Sequence, residues 1–69
     1  MRSDGASIRQ LRERSGYTIS RLAADAGIDR THLGRIENGE RNGTPKQLCD
    51  IAEILGVDIA TITQQETTS

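Results

Sequence analysis

Four glycines, at positions 16, 27, 39 and 56, cut the chain into stretches of roughly ten to sixteen residues. Within each stretch the apolar residues recur at helical rather than alternating spacing. Ile8 and Leu11 stand at i, i+3. Leu22, Ala23 and Ala26 share one face, as do Leu33 and Ile36, and Leu48, Ile51, Ala52 and Leu55 form a stripe of period 3.6. Capping residues fall where the stretches begin: Thr18, Asp29, Thr44 followed by Pro45, and Asp58. Gly27 suits the left-handed residue that follows a helix. The pattern predicts an all-α fold of five short helices, at about 4–15, 18–26, 29–38, 44–55 and 58–63.

A chain of 69 residues makes one domain, here placed at 1–62, with a polar tail over 63–69 that is expected to fray. A domain of this size hides only about 60% of its unfolded surface, so the core is small. Hydrophobic residues make up 33% of the chain and Tyr17 is the sole aromatic, so the core must be aliphatic. The single cysteine, Cys49, excludes an internal disulfide and sits beside the apolar stripe, where it is expected to act as a small core residue. One cysteine and one histidine, His32, make no metal cluster, and no cofactor motif is present. A reducing cytoplasm is the natural compartment. Apolar runs of two or three residues exclude a membrane span, and "MRSDGAS" does not read as a signal peptide. No nucleophile–base set and no phosphate-cradling glycine loop points to an enzyme.

The net charge of −1 argues on its face against a nucleic-acid partner, but the charges are unevenly spread. Residues 1–41 hold eight arginines against six acids, whereas residues 42–69 hold one lysine against four. The basic surplus therefore lies in the half that contains "GIDRTHLGRIENG", Gly27 to Gly39.

Two short helices joined by a tight glycine turn form a helix-turn-helix pattern. Ala23 is small where two helices must touch, Gly27 follows four residues later, and Ile28, Leu33 and Ile36 anchor the second helix against the first. The segments "LAADAGI", "LGRIENGER" and "LCDIAEILGVD" carry a resemblance to the Cro/phage-repressor (xenobiotic-response-element-like) helix-turn-helix family, running without a gap from about Ile8 to Ile62. The resemblance implies a five-helix DNA-binding domain of a small transcriptional regulator, repressor-like and of phage, plasmid or bacterial type. Its partner would be double-stranded DNA, bound as a homodimer on an inverted repeat. The apolar residues Val57, Ile59 and Ile62 offer a surface for that dimer, or alternatively seal the core of a monomer.

With Leu33 and Ile36 turned inward, the third helix presents Arg30, Thr31, Gly34, Arg35 and Asn38 outward. A helix fits the major groove, and the arginine fork can donate two hydrogen bonds to guanine O6 and N7. By resemblance, Arg30, Thr31 and Arg35 are base-facing and Asn38 touches the backbone. Thr18, Arg41 and Asn42 are further phosphate candidates, with plain turn chemistry as the alternative at each. Resemblance also implies an ion pair between Arg12 and Glu37, which would remove an acid from the DNA face.

Three positions depart from the family pattern. Ile19 stands where many members carry a glutamine that bonds phosphate or base; it either packs against Tyr17 or touches a thymine methyl. Gly34 replaces a residue that is often serine, either for close approach to DNA or through drift. His32 either reaches a phosphate or covers the seam between the second and third helices. A different class of function stays open on the same fold: a protein-interaction or antitoxin-like module with weak or no DNA binding of its own.

Overall fold

The computed structural model describes residues 2–64. Four α-helices run in order: α1 (Gly5–Arg14), α2 (Ile19–Ala26), α3 (Arg30–Glu37) and α4 (Pro45–Leu55). α2, α3 and α4 begin on the caps expected at Thr18, Asp29 and Thr44, and α1 begins on Asp4, a cap that the sequence reading does not name. The Asp4 carboxylate accepts from the N–H of Ser7, and the Thr18 hydroxyl accepts from that of Arg21. Asp29 accepts from Thr31 and His32, and Thr44 forms a full capping box with Gln47. Gly27 and Gly56 end α2 and α4 in the left-handed conformation, at φ 67° and 71°. The ranges read from sequence match these helices once the caps at either end are subtracted.

The fifth element differs from expectation. Ile59–Ile62 forms one turn of 3-10 helix rather than an α-helix, and Asp58 makes no side-chain cap. Four residues are too few to hold an α-helical ladder, and the tighter turn suits so short a piece. Thr63 and Gln64, expected to fray, instead form a strand (β2) antiparallel to Arg2–Ser3 (β1), with Arg2 opposite Gln64 and Ser3 opposite Thr63. The N–H of Asp4 donates to the carbonyl of Ile62 at 2.8 Å, which extends the tie. The rest of the expected tail, 65–69, lies outside the described residues.

Ile8, Leu22, Leu33, Ile36, Leu48, Ile51 and Ile62 are fully buried and form one aliphatic core with Ala23, Ala26, Ile28 and Ala52. Through it α2 packs on both α3 and α4, while α1 packs on α3 and on the 3-10 turn. Cys49 does not join this core; it is exposed. The stripe through Leu48, Ile51, Ala52 and Leu55 has its centre roughly 100° round the helix from the residue after Leu48, which explains the difference. Ile62 belongs wholly to the monomer core and is not available to a partner; Ile54, Leu55, Val57 and Ile59 remain half-buried. No helix among the described residues is long and apolar enough to cross a membrane.

Candidate nucleic-acid interface

The turn Gly27–Ile28–Asp29 sets α3 across α2. The N–H of Ile28 donates back to the Ala23 carbonyl at 2.8 Å, and Ile28 itself is buried. Leu33 and Ile36, both 0% exposed, fix the rotation of α3 about its axis. The outward arc that results carries Arg30, Thr31, Arg35 and Asn38, all exposed, with half-buried Gly34 among them. His32 is half-buried on the flank between this arc and the core.

Arg30 leans toward α2, with its Nη1 3.5 Å from the Ser20 hydroxyl. Arg35 projects from the last turn of α3. Among the described residues Arg30, Arg35 and Arg41 are paired with no carboxylate. Arg9, Arg12 and Arg21 of α1 and α2 are paired, with Glu13, Glu37 and Asp25 respectively.

Glu37 is the one acid within α3, and it faces inward. Its two carboxylate oxygens accept from Arg12 Nε at 2.8 Å and Nη2 at 3.0 Å, a bidentate fork. The third guanidinium nitrogen donates to the Tyr17 carbonyl at 3.0 Å, so Arg12 also holds the turn between α1 and α2. The Glu37 hydrogen bonds raise the Arg12 guanidinium above its already high ordinary value, against an opposing effect of burial. The expected ion pair is thus present, and it takes the charge of Glu37 off the face that carries Arg30 and Arg35.

The other expected phosphate candidates have mixed surroundings. Thr18 spends an acceptor lone pair on capping α2, and its O–H donates to no acceptor among the described residues. Arg41 is exposed in the loop, where its N–H and that of Glu40 both donate to the Arg35 carbonyl and close the end of α3. Asn42 has a structural task that its sequence position did not reveal. Its side-chain oxygen accepts from the N–H and the hydroxyl of Ser3 at 3.3 and 3.2 Å. The Ser3 hydroxyl in turn accepts from the N–H of Gly43, which pins β1 to the loop after α3. Ile19 is half-buried and packs on the core rather than standing free.

Gly5 also escaped the sequence reading. A Cβ built there would stand 2.7 Å from the carbonyl carbon of Glu37, and closer still to the carbonyl oxygens of Ile36 and Glu37. The start of α1 therefore touches the end of α3 backbone to backbone. A lone glycine in a polar N-terminal stretch carries no sequence signal for such a contact.

The described geometry is that of a helix-turn-helix, and residues 8–62 match the family model of that description. The chain belongs to the helix-turn-helix family of Cro/phage-repressor type. Among its relatives is the HTH-type transcriptional regulator SutR of Escherichia coli K12, 38% identical over 55 residues that take in 80% of this chain and 31% of SutR. The HTH-type transcriptional regulator SinR of Bacillus subtilis 168 is 32% identical over 90% of this chain and 57% of its own length. The chain thus spans about a third to somewhat over half of these helix-turn-helix relatives. A solved structure of SinR in complex with DNA superposes with a TM-score of 0.75 at 32% identity, over 80% of this chain and 89% of that one. The restriction-modification controller protein C.AhdI of Aeromonas hydrophila gives a TM-score of 0.78 at 30% identity, over 83% and 86% of the two chains.

Proposed function

We propose that this chain is a sequence-specific duplex-DNA-binding module of a transcriptional regulator, acting in the cytoplasm as a binding protein and not an enzyme, with α3 in the major groove. The observation that carries the reading is the charge arrangement of α3. Its exposed arc holds two arginines with no carboxylate partner among the described residues, while its one acid is turned inward and paired with Arg12. A merely solubilising helix has no need to hide its acid. Likeness to SinR, whose structure in complex with DNA shares this fold, supports the same reading.

In this arrangement Arg30, Thr31 and Arg35 face base edges, where a guanidinium fork matches guanine O6 and N7. Asn38 and Arg41 lie along the flanking backbone. The first N–H groups of α2, beside Thr18, point out of a helix N-terminus and suit a phosphate oxygen. His32 and Asn42 support the interface from its flanks. Two copies would read an inverted repeat, joined through the half-buried apolar residues Ile54, Val57 and Ile59, with half-sites about one helical turn apart.

Selection from a pool of random duplexes tests the reading. A recovered inverted repeat is the expected product, and its affinity should fall steeply with salt as phosphate contacts release counterions. A salt-insensitive association, or no enrichment at all, defeats the reading and favours a protein-interaction module instead.

A further inference from the structure

Ile19 and Gly34 meet at the edge of the α3 arc. A Cβ built on Gly34 would stand 3.6 Å from Ile19 Cδ1, in ordinary van der Waals contact, and would meet no other side chain within 4 Å. Gly34 lacks the positive φ found at Gly16, Gly27, Gly39 and Gly56. Neither packing nor backbone conformation therefore demands glycine here, although glycine weakens a helix interior. What glycine does is leave the tip of Ile19 uncovered on the side of α3. Ile19 is half-buried and packs on the core, which restricts its freedom to swing away. Arg30 stands one turn before Gly34 on the same face of α3 and reaches toward Ser20 of α2. The result is a small apolar notch, walled by Ile19, floored by the backbone at Gly34, and set within a polar, basic surface.

The major groove offers one apolar group of matching size, the C5-methyl of thymine. We propose that Ile19 and Gly34 form a seat for one thymine methyl in each half-site, which makes Ile19 a specificity-determining residue. The proposal rests on the reading of α3 as a groove-binding helix. Continuity of the notch with Arg30 and Thr31 commits it to the same duplex and not to a separate partner.

The test uses the unmodified protein and its selected duplex, with each thymine replaced in turn by deoxyuridine, which removes the methyl and nothing else. Burial of one methyl corresponds to about a fourfold change in affinity. A loss of about that size at one thymine per half-site is expected. The same scan on Ile19→Ala should show no loss at that thymine. Ile19→Gln, which keeps an aliphatic stem against the core but places an amide at the tip, should behave likewise and covers the case in which the alanine variant fails to fold. A uracil scan flat at every position overturns the proposal while leaving DNA binding intact. So does a methyl effect that persists in the folded variants. A protein that selects no duplex overturns the underlying reading as well.

Discussion

Arg12 and Glu37, 25 residues apart in sequence, meet through two parallel hydrogen bonds of 2.8 and 3.0 Å. Their side chains are 13% and 4% exposed, so water screens the pair little. Removing either partner strands the other in a dry site, at a cost of a few kcal/mol. A double-mutant cycle on Arg12→Ala and Glu37→Ala, read by chemical denaturation, should give a coupling of at least about 1 kcal/mol. Arg12→Lys should recover only part of the loss, because an ammonium cannot make the fork or also reach the Tyr17 carbonyl. Strictly additive losses would falsify the pairing as an energetic unit. The raised value of Arg12 adds stability that is fully present below its unfolded value and is lost only as pH rises beyond it. Arg12 should therefore contribute no slope to stability between about pH 5 and pH 9, well below the range in which a guanidinium titrates.

Two glycines should respond to alanine in opposite directions. At Gly5 the obstacle is backbone, the carbonyls of Ile36 and Glu37, which cannot rotate aside. Gly5→Ala should lose at least about 2 kcal/mol through forced separation of α1 and α3. At Gly34 the one side-chain atom within 4 Å among the described residues is Ile19 Cδ1, at an ordinary van der Waals distance. Gly34→Ala should gain roughly 0.5–1 kcal/mol from helix propensity alone. Equal effects of the two substitutions on the denaturation midpoint would rule out the backbone contact at Gly5.

Asn42 separates a structural role from a binding role. Its bonds to Ser3 hold β1 against the loop after α3. Asn42→Ala should cost about 1 kcal/mol of stability. If its contribution is structural, the slope of affinity against salt stays where it was. A slope smaller by about one unit would assign Asn42 to phosphate instead.

The four α-helices and most of the core were legible because each signal was local. Caps, glycine stops and a 3.6 period all act within one turn of helix, and they agreed with one another. The Arg12–Glu37 pair was accessible only through family likeness, since nothing in the spacing of 25 residues predicts contact. The contacts that went unread were those that depend on tertiary closure. Pairing of Arg2–Ser3 with Thr63–Gln64 joins the two ends of the described residues through strands of two residues each, too short for any periodicity. Gly5 needs no glycine until α3 arrives beside it. Cys49 was misplaced for another reason: its apolar character suited the stripe, but its position on α4 did not.

Arg35 offers the most direct test of the interface. Leu33 and Ile36 on either side of it are wholly buried, which fixes the helix and leaves the side chain outward. Arg30 lies five residues earlier, roughly 7.5 Å along the axis. That is a little over two base-pair steps of about 3.4 Å each. If both enter the groove, the half-site should hold a guanine within reach of each. The two arginines differ in freedom, since Arg30 is already drawn toward Ser20 while Arg35 has no carboxylate partner among the described residues. Loss of one bidentate base contact costs about 1–3 kcal/mol and relaxes preference at a single base pair. Arg35→Ala should therefore bind the selected site about five- to 150-fold more weakly. It should also discriminate less among single-base variants at one position, with its salt slope nearly unchanged. A loss spread evenly over every variant, with a smaller salt slope, would move Arg35 to the phosphate backbone. Unchanged affinity in a variant with native circular dichroism would leave Arg35 as a solvated charge and take from α3 its role as the reading helix.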